Sequence, residues 1–223
     1  WRAFVGAGVA AMPVAAGGRV FVQTIDGQVL ALDADSGEQI WVYGSQVPLL
    51  TLRGTAAPVV RQGVVYSGFA SGKVVALRSN NGEPVWERRV MLPEGRSELD
   101  RMVDVDASPL ISGSEIYGLA FQGRLMSMSL RDGQPRWDSD VSGFLNLAEG
   151  LRQVYVVDED DGVVALDQSS GEVTWQHELL AHRKLTSPLA YSNYLVVGDE
   201  AGYLHVMAQS DGRMLGRSKV GGK

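Results

Sequence analysis

Four times in this chain a proline is followed by a glycine 14 residues later, a second glycine after 24 and a closing position after 28. The sets are Pro13, Gly27, Gly37 and Trp41; Pro58, Gly72, Gly82 and Trp86; Pro109, Gly123, Gly133 and Trp137; and Pro188, Gly202, Gly212 and Gly216. A fifth copy, Gly162, Gly171 and Trp175, lacks the proline and is one residue shorter between its glycines. Self-similarity at such a period marks a propeller or solenoid, in which each unit is one supersecondary module stacked on its neighbours. Within the first unit, Arg19 to Thr24 is β-branched and aromatic, Asp26-Gly27 reads as a hairpin turn, and Gln28 to Leu32 returns as the partner strand. Asp33 to Gly37 is a second turn and Glu38 to Val42 an outer strand. With a strand near Pro13-Val14, each unit is a four-stranded antiparallel sheet, the blade of a β-propeller.

Composition agrees with an all-β domain spanning 1–223: 45% of residues are hydrophobic and 27 are Gly, which favours turns over helix. The net charge of -6 offers no basic field for nucleic acid. The absence of Cys excludes disulfides and thiolate metal sites within these residues but leaves the compartment open. Six residues before each second turn glycine stands Ala31, Ala76, Ser127, Ala165 or Val206, mostly small, so that neighbouring sheets can approach closely. Trp41, Trp86, Trp137 and Trp175 are expected to pack between blades, and Trp1 to close a blade upstream of this segment.

The runs Ala31-Leu32-Asp33 to Gly37 to Trp41, and Ala165-Leu166-Asp167 to Gly171 to Trp175, resemble the tryptophan-docking repeat of pyrroloquinoline-quinone-type propellers. That group holds enzymes and non-enzymes, so the repeat defines the blade and not the chemistry. A quinoprotein dehydrogenase and an extracytoplasmic sensor or scaffold are the alternatives it leaves open. The informative segments break the repeat. The connection from closing tryptophan to next proline is 17 residues from Trp41 to Pro58 and 23 from Trp86 to Pro109, against 13 from Trp175 to Pro188. Both long connectors leave equivalent strands and so emerge side by side on one face, where binding residues concentrate. The first carries Leu50, Leu52 and Arg53, apolar anchors beside a guanidinium, as suits an interface core; these side chains could equally cap the blade and pair internally with Asp104 or Asp106. In the second, Asp104-Val105-Asp106 on an extended segment would send both carboxylates one way and Val105 inward.

The stretches Val47 to Gly54 and Glu98 to Asp106, with His182 to Pro188 and Val197 to His205, are similar to the BamB family of Gram-negative outer-membrane assembly lipoproteins. The resemblance implies an eight-bladed propeller of which about five blades are covered here, a lipid anchor outside this segment holding it at the periplasmic face of the outer membrane, and no catalysis. It also implies docking to the POTRA domains of BamA through Leu50, Leu52, Arg53, Asp104 and Asp106. The all-β architecture separately suggests unfolded outer-membrane protein precursors as further partners, held as extended chains on exposed edge strands or on the concave face. No cofactor is expected. Asp158-Glu159-Asp160-Asp161-Gly162 looks superficially like a calcium loop but falls on a hairpin position and lacks the twelfth-position glutamate, so a solvated turn is expected. His177, His182 and His205 have no metal-ligand spacing, and no nucleophile-elbow motif is present.

Overall fold

The structure, a computed structural model, describes residues 1–44, 56–90 and 105–221. Its regular structure is entirely strand, in five four-stranded antiparallel sheets, each formed by strands consecutive in the chain. The first blade is β1 (Val14–Ala16), β2 (Arg19–Gln23), β3 (Gln28–Asp33) and β4 (Gln39–Gly44). The second is β5 (Val59–Arg61), β6 (Val64–Phe69), β7 (Lys73–Arg78) and β8 (Pro84–Arg89), and the third β9 (Leu110–Ser112), β10 (Glu115–Leu119), β11 (Leu125–Ser129) and β12 (Pro135–Ser139). β13 (Ala148–Gly150), β14 (Gln153–Val157), β15 (Val163–Asp167) and β16 (Val173–His177) make the fourth; β17 (Leu189–Tyr191), β18 (Tyr194–Gly198), β19 (Tyr203–Ala208) and β20 (Met214–Lys219) make the fifth.

The cross-strand register gives the small residue its purpose. Ala31 is paired to Phe21 on one side and Trp41 on the other, and the rows Tyr66–Ala76–Trp86, Tyr117–Ser127–Trp137 and Tyr155–Ala165–Trp175 repeat the arrangement. A short side chain in the middle lets the two flanking rings lean over it, to 5.9 Å between the centroids of Phe21 and Trp41 and 5.7 Å between those of Tyr117 and Trp137. The small residue therefore serves ring packing within the blade. Immediately beyond it the pairing slips by one, leaving a bulged residue on every outer strand: Ile40, Val85, Arg136, Thr174 or Leu215.

Each tryptophan then reaches into the following blade, as the sequence predicts. The indole Nε1 of Trp41 donates to the Ser79 carbonyl at 3.0 Å, Trp86 to Leu130 at 3.1 Å, Trp137 to Gln168 at 2.8 Å and Trp175 to Gln209 at 2.9 Å. Its ring lies flat on the next turn glycine: a Cβ at Gly82 would come within 2.7 Å of Trp41, and one at Gly171 within 2.3 Å of Trp137. These glycines hold φ between 68° and 76°, the left-handed region, so both backbone and space require glycine. Trp1 occupies the same position, donating to Ala34 at 2.9 Å and covering Gly37. The core lies between blades; one cluster joins Phe21, Val29 and Trp41 to Val65, Phe69 and Leu77 of the next sheet, and three more repeat the pattern along the array.

Antiparallel alternation sorts the loops by end. The turns β1–β2 and β3–β4, with their equivalents, share one end with the docked tryptophans. The β2–β3 hairpins and all connectors between blades share the other.

Candidate functional site: the connector face

At the connector end the blades are tied by a relay of hydrogen bonds between residues in one repeat position, just before each innermost strand. The Ala57 amide donates to Ser108 Oγ at 3.0 Å, the Ser108 amide to Asn146 Oδ1 at 2.8 Å, and the Asn146 amide to Ser187 Oγ at 3.1 Å. Each side chain thus accepts the amide of the preceding blade. These residues, with Met12, Asp106 and Phe144, line an open depression of about 280 Å3 near the inner strands. Two of its lining side chains, Met12 and Phe144, are exposed and apolar. Sequence reasoning missed the relay, although Ser-Pro at 108–109 and again at 187–188 was its visible trace.

Val105 points inward as expected, 1% exposed, with its amide donating to the Phe69 carbonyl at 3.2 Å. The contact needs Gly68, where a Cβ would lie 2.5 Å from the Val105 side chain. Asp106 is half-buried on the wall of the depression. Leu50, Leu52, Arg53 and Asp104 lie outside the described residues, so the structure places only Asp106 of the five predicted contacts. The described ends of the two connectors do meet: the Ala57 amide donates directly to Ser108 Oγ.

The acidic hairpin of the fourth blade is a turn, with the Asp158 amide donating to the Gly162 carbonyl at 2.9 Å, but it is more than a solvated one. Asp158 Oδ1 accepts the amides of Asp160 and Gly162; burial pushes its carboxyl above the usual range, those two bonds work against the shift, and the charges of Asp160 and Asp161 add to it. Glu159 accepts the Gln122 amide of the third blade at 2.9 Å and the Ser142 hydroxyl at 2.6 Å. Asp161 accepts the Lys184 and Leu185 amides of the next connector at 2.7 and 2.9 Å. Glu159 and Asp161 are thus engaged by neighbouring segments, and Asp158 by its own turn. Among the described residues no group of His, Asp or Glu is placed to share a metal ion.

The next hairpin explains two sequence stretches together. Asp199 is buried and accepts three donors: the Tyr203 amide at 2.9 Å, Arg183 Nη1 at 2.9 Å and His205 Nε2 at 2.8 Å. Burial alone would raise its carboxyl, but His205, the Tyr203 amide and Arg183 overcome this and hold it at about 2. Beside it Lys184 pairs with Glu200 at 2.9 Å. Arg183 and Lys184 thereby clamp the connector onto the hairpin.

Consecutive four-stranded blades, the first four each closed by a tryptophan docked on the next blade's glycine, define a β-propeller of the tryptophan-docking class. Sequence comparison matches residues 1–176 and 147–223 to the family described as outer membrane protein assembly factor BamB. The chain belongs to this family. It is 38% identical over 220 residues to the outer membrane protein assembly factor BamB of Shewanella oneidensis, an alignment covering 99% of this chain and 56% of that protein. The chain therefore spans about half the length of the curated relatives it matches. The crystal structure of BamB from Moraxella catarrhalis superposes with a TM-score of 0.92 at 31% identity, over 97% of this chain and 65% of that one. A quinohemoprotein alcohol dehydrogenase of Pseudomonas putida superposes at 0.78 with 15% identity, over 99% of this chain and 43% of that one, which is a likeness of fold alone.

Proposed function

We propose that the chain is part of a non-enzymatic, lipid-anchored scaffold subunit at the periplasmic face of the outer membrane, docking to the POTRA domains of BamA and aiding insertion of β-barrel proteins. The observation that carries this reading is the meeting of the two long connectors at their described ends: the Ala57 amide donates to Ser108 Oγ, and Asp106 lies on the same depression. Blades locked by tryptophan docking hold that face rigid, so a partner domain binds with little ordering cost. Leu50, Leu52 and Arg53 supply the anchor, and Asp104 and Asp106 the electrostatic register.

Calorimetry of the full-length protein with BamA POTRA domains tests this. Leu50→Ala/Leu52→Ala/Arg53→Ala and Asp104→Ala/Asp106→Ala are each expected to weaken binding by about tenfold or more, with circular dichroism unchanged. Undiminished binding by both would assign the connectors to internal packing. Precursor chains fit the other exposed element, the outer strands, of which β4 and β8 are solvent-accessible at most positions although a further blade follows each. Adding an unfolded outer-membrane protein is expected to slow hydrogen exchange in outer-strand amides of the full-length protein, and unchanged exchange would remove β-augmentation from the proposal.

A further inference from the structure

The repeat supplies its own internal control for detecting a site, because five equivalent positions can be compared at every point of the blade. At the tryptophan end, between the second and third blades, lies an open groove of about 620 Å3. Arg61, Arg131 and Arg136 line it together with Val64, Val85 and Leu130. None of the three arginines is repeated elsewhere. Arg61, the last residue of its innermost strand, corresponds to Ala16, Ser112, Gly150 and Tyr191. Arg131, two residues before the docking glycine, corresponds to Asp35, Asn80, Ser169 and Ser210. Arg136 is the bulged residue of β12, where the other blades carry Ile40, Val85, Thr174 and Leu215. Three independent departures from the template, all to arginine, meet in a single groove of a chain whose net charge is -6.

Among the described residues none of the three makes an ion pair. The nearby carboxylate, Asp132, is occupied within its own turn by the Ser129 hydroxyl and the Gln134 amide, with Arg131 and Arg136 adding only a lesser attraction. Guanidinium groups present rigid forks matched to carboxylates, and a wall of Val64, Val85 and Leu130 suits an apolar side chain beside them. A flat bilayer cannot enter a groove between blades, whereas an extended peptide can.

We propose that this groove binds an acidic peptide segment of a protein partner, its carboxylates on Arg61, Arg131 and Arg136 and an interposed apolar side chain against Val64, Val85 and Leu130. In an extended peptide alternate residues face opposite ways, so a segment of acidic residues with leucines between them can meet both walls. The groove lies at the end opposite the connectors, and its occupancy is independent of docking there.

The test is fluorescence anisotropy of the full-length protein with a labelled, end-capped peptide of sequence Asp-Leu-Glu-Leu-Asp, against its amide counterpart Asn-Leu-Gln-Leu-Asn. The acidic peptide is expected to bind at least tenfold more tightly, and combined Arg61→Gln, Arg131→Gln and Arg136→Gln substitutions are expected to abolish that preference. The three sites are on the surface, and unchanged POTRA binding and thermal unfolding would show that the variant is folded. Equal binding of the two peptides, no binding, or full retention in the triple variant would overturn the proposal. So would arginine-dependent capture of phosphatidylglycerol vesicles without a peptide preference, which would make the groove a lipid-headgroup site.

Discussion

Replacing Trp86 by alanine is expected to destabilise the full-length protein by about 3–5 kcal/mol, seen as a lower urea midpoint. The side chain is buried, its ring lies 6.0 Å from Tyr66 and covers Gly133, and its Nε1 bonds the Leu130 carbonyl at 3.1 Å. Truncation therefore empties a space that belongs to two blades, and neither can collapse into it alone because Gly133 is fixed by a φ of 68°. The equivalent position in the fifth blade is the control. Gly216 stands in a row with Val196 and Val206, without rings, so no indole is lost there. Gly216→Ala should change stability by less than about 0.5 kcal/mol, leaving the urea midpoint nearly unmoved. Similar losses at both positions would mean that the indole does not hold the blades together.

The second large effect is expected at Asp199. A carboxyl lowered from 3.8 to about 2 contributes about 2 kcal/mol of stability at neutral pH. The folded value lies below the unfolded one, so this contribution is fully present above about pH 4 and disappears as pH falls towards about 2. Asp199→Ala should remove it and strand the buried His205 without its acceptor, at a total cost of about 3 kcal/mol. Urea midpoints measured from about pH 7 to about pH 2 are expected to fall steeply below pH 4 in the parent and less steeply in the variant. Parallel acid limbs in the two proteins would refute the role given to this carboxylate.

The positions of Trp41, Trp86, Trp137 and Trp175 were legible in the sequence because a large ring and a glycine at fixed spacing leave a periodic trace. The β-propeller follows from it, and so does the meeting of the connectors at their described ends, since topology alone places loops that leave equivalent strands. The purpose of Ala31 and Ala76 was legible only in part; their size is visible in the sequence, but the ring pair closing over them depends on register. The acidic hairpin misled for a related reason. A run of carboxylates looks solvated in sequence, and the amides that bind Glu159 and Asp161 belong to Gln122, Lys184 and Leu185. Backbone donors have no residue signature, so neither these bonds nor the Ser108–Asn146–Ser187 relay could be read in advance. Leu50, Leu52, Arg53 and Asp104 lie outside the described residues, and their assignment rests on the family resemblance.

The direction of tryptophan docking has a consequence for biogenesis. Each indole is received by a carbonyl that appears later in the chain, 38 residues on for Trp41, 44 for Trp86, 31 for Trp137 and 34 for Trp175. During synthesis, or during threading through a translocation pore from the amino terminus, a sheet can form its own hairpins yet stays unsealed until its successor emerges. Maturation must then advance as a wave trailing the growing end by about one module, with the most recently delivered sheet always the least secured. A pause in delivery would leave a single ring uncovered rather than an entire domain unfolded.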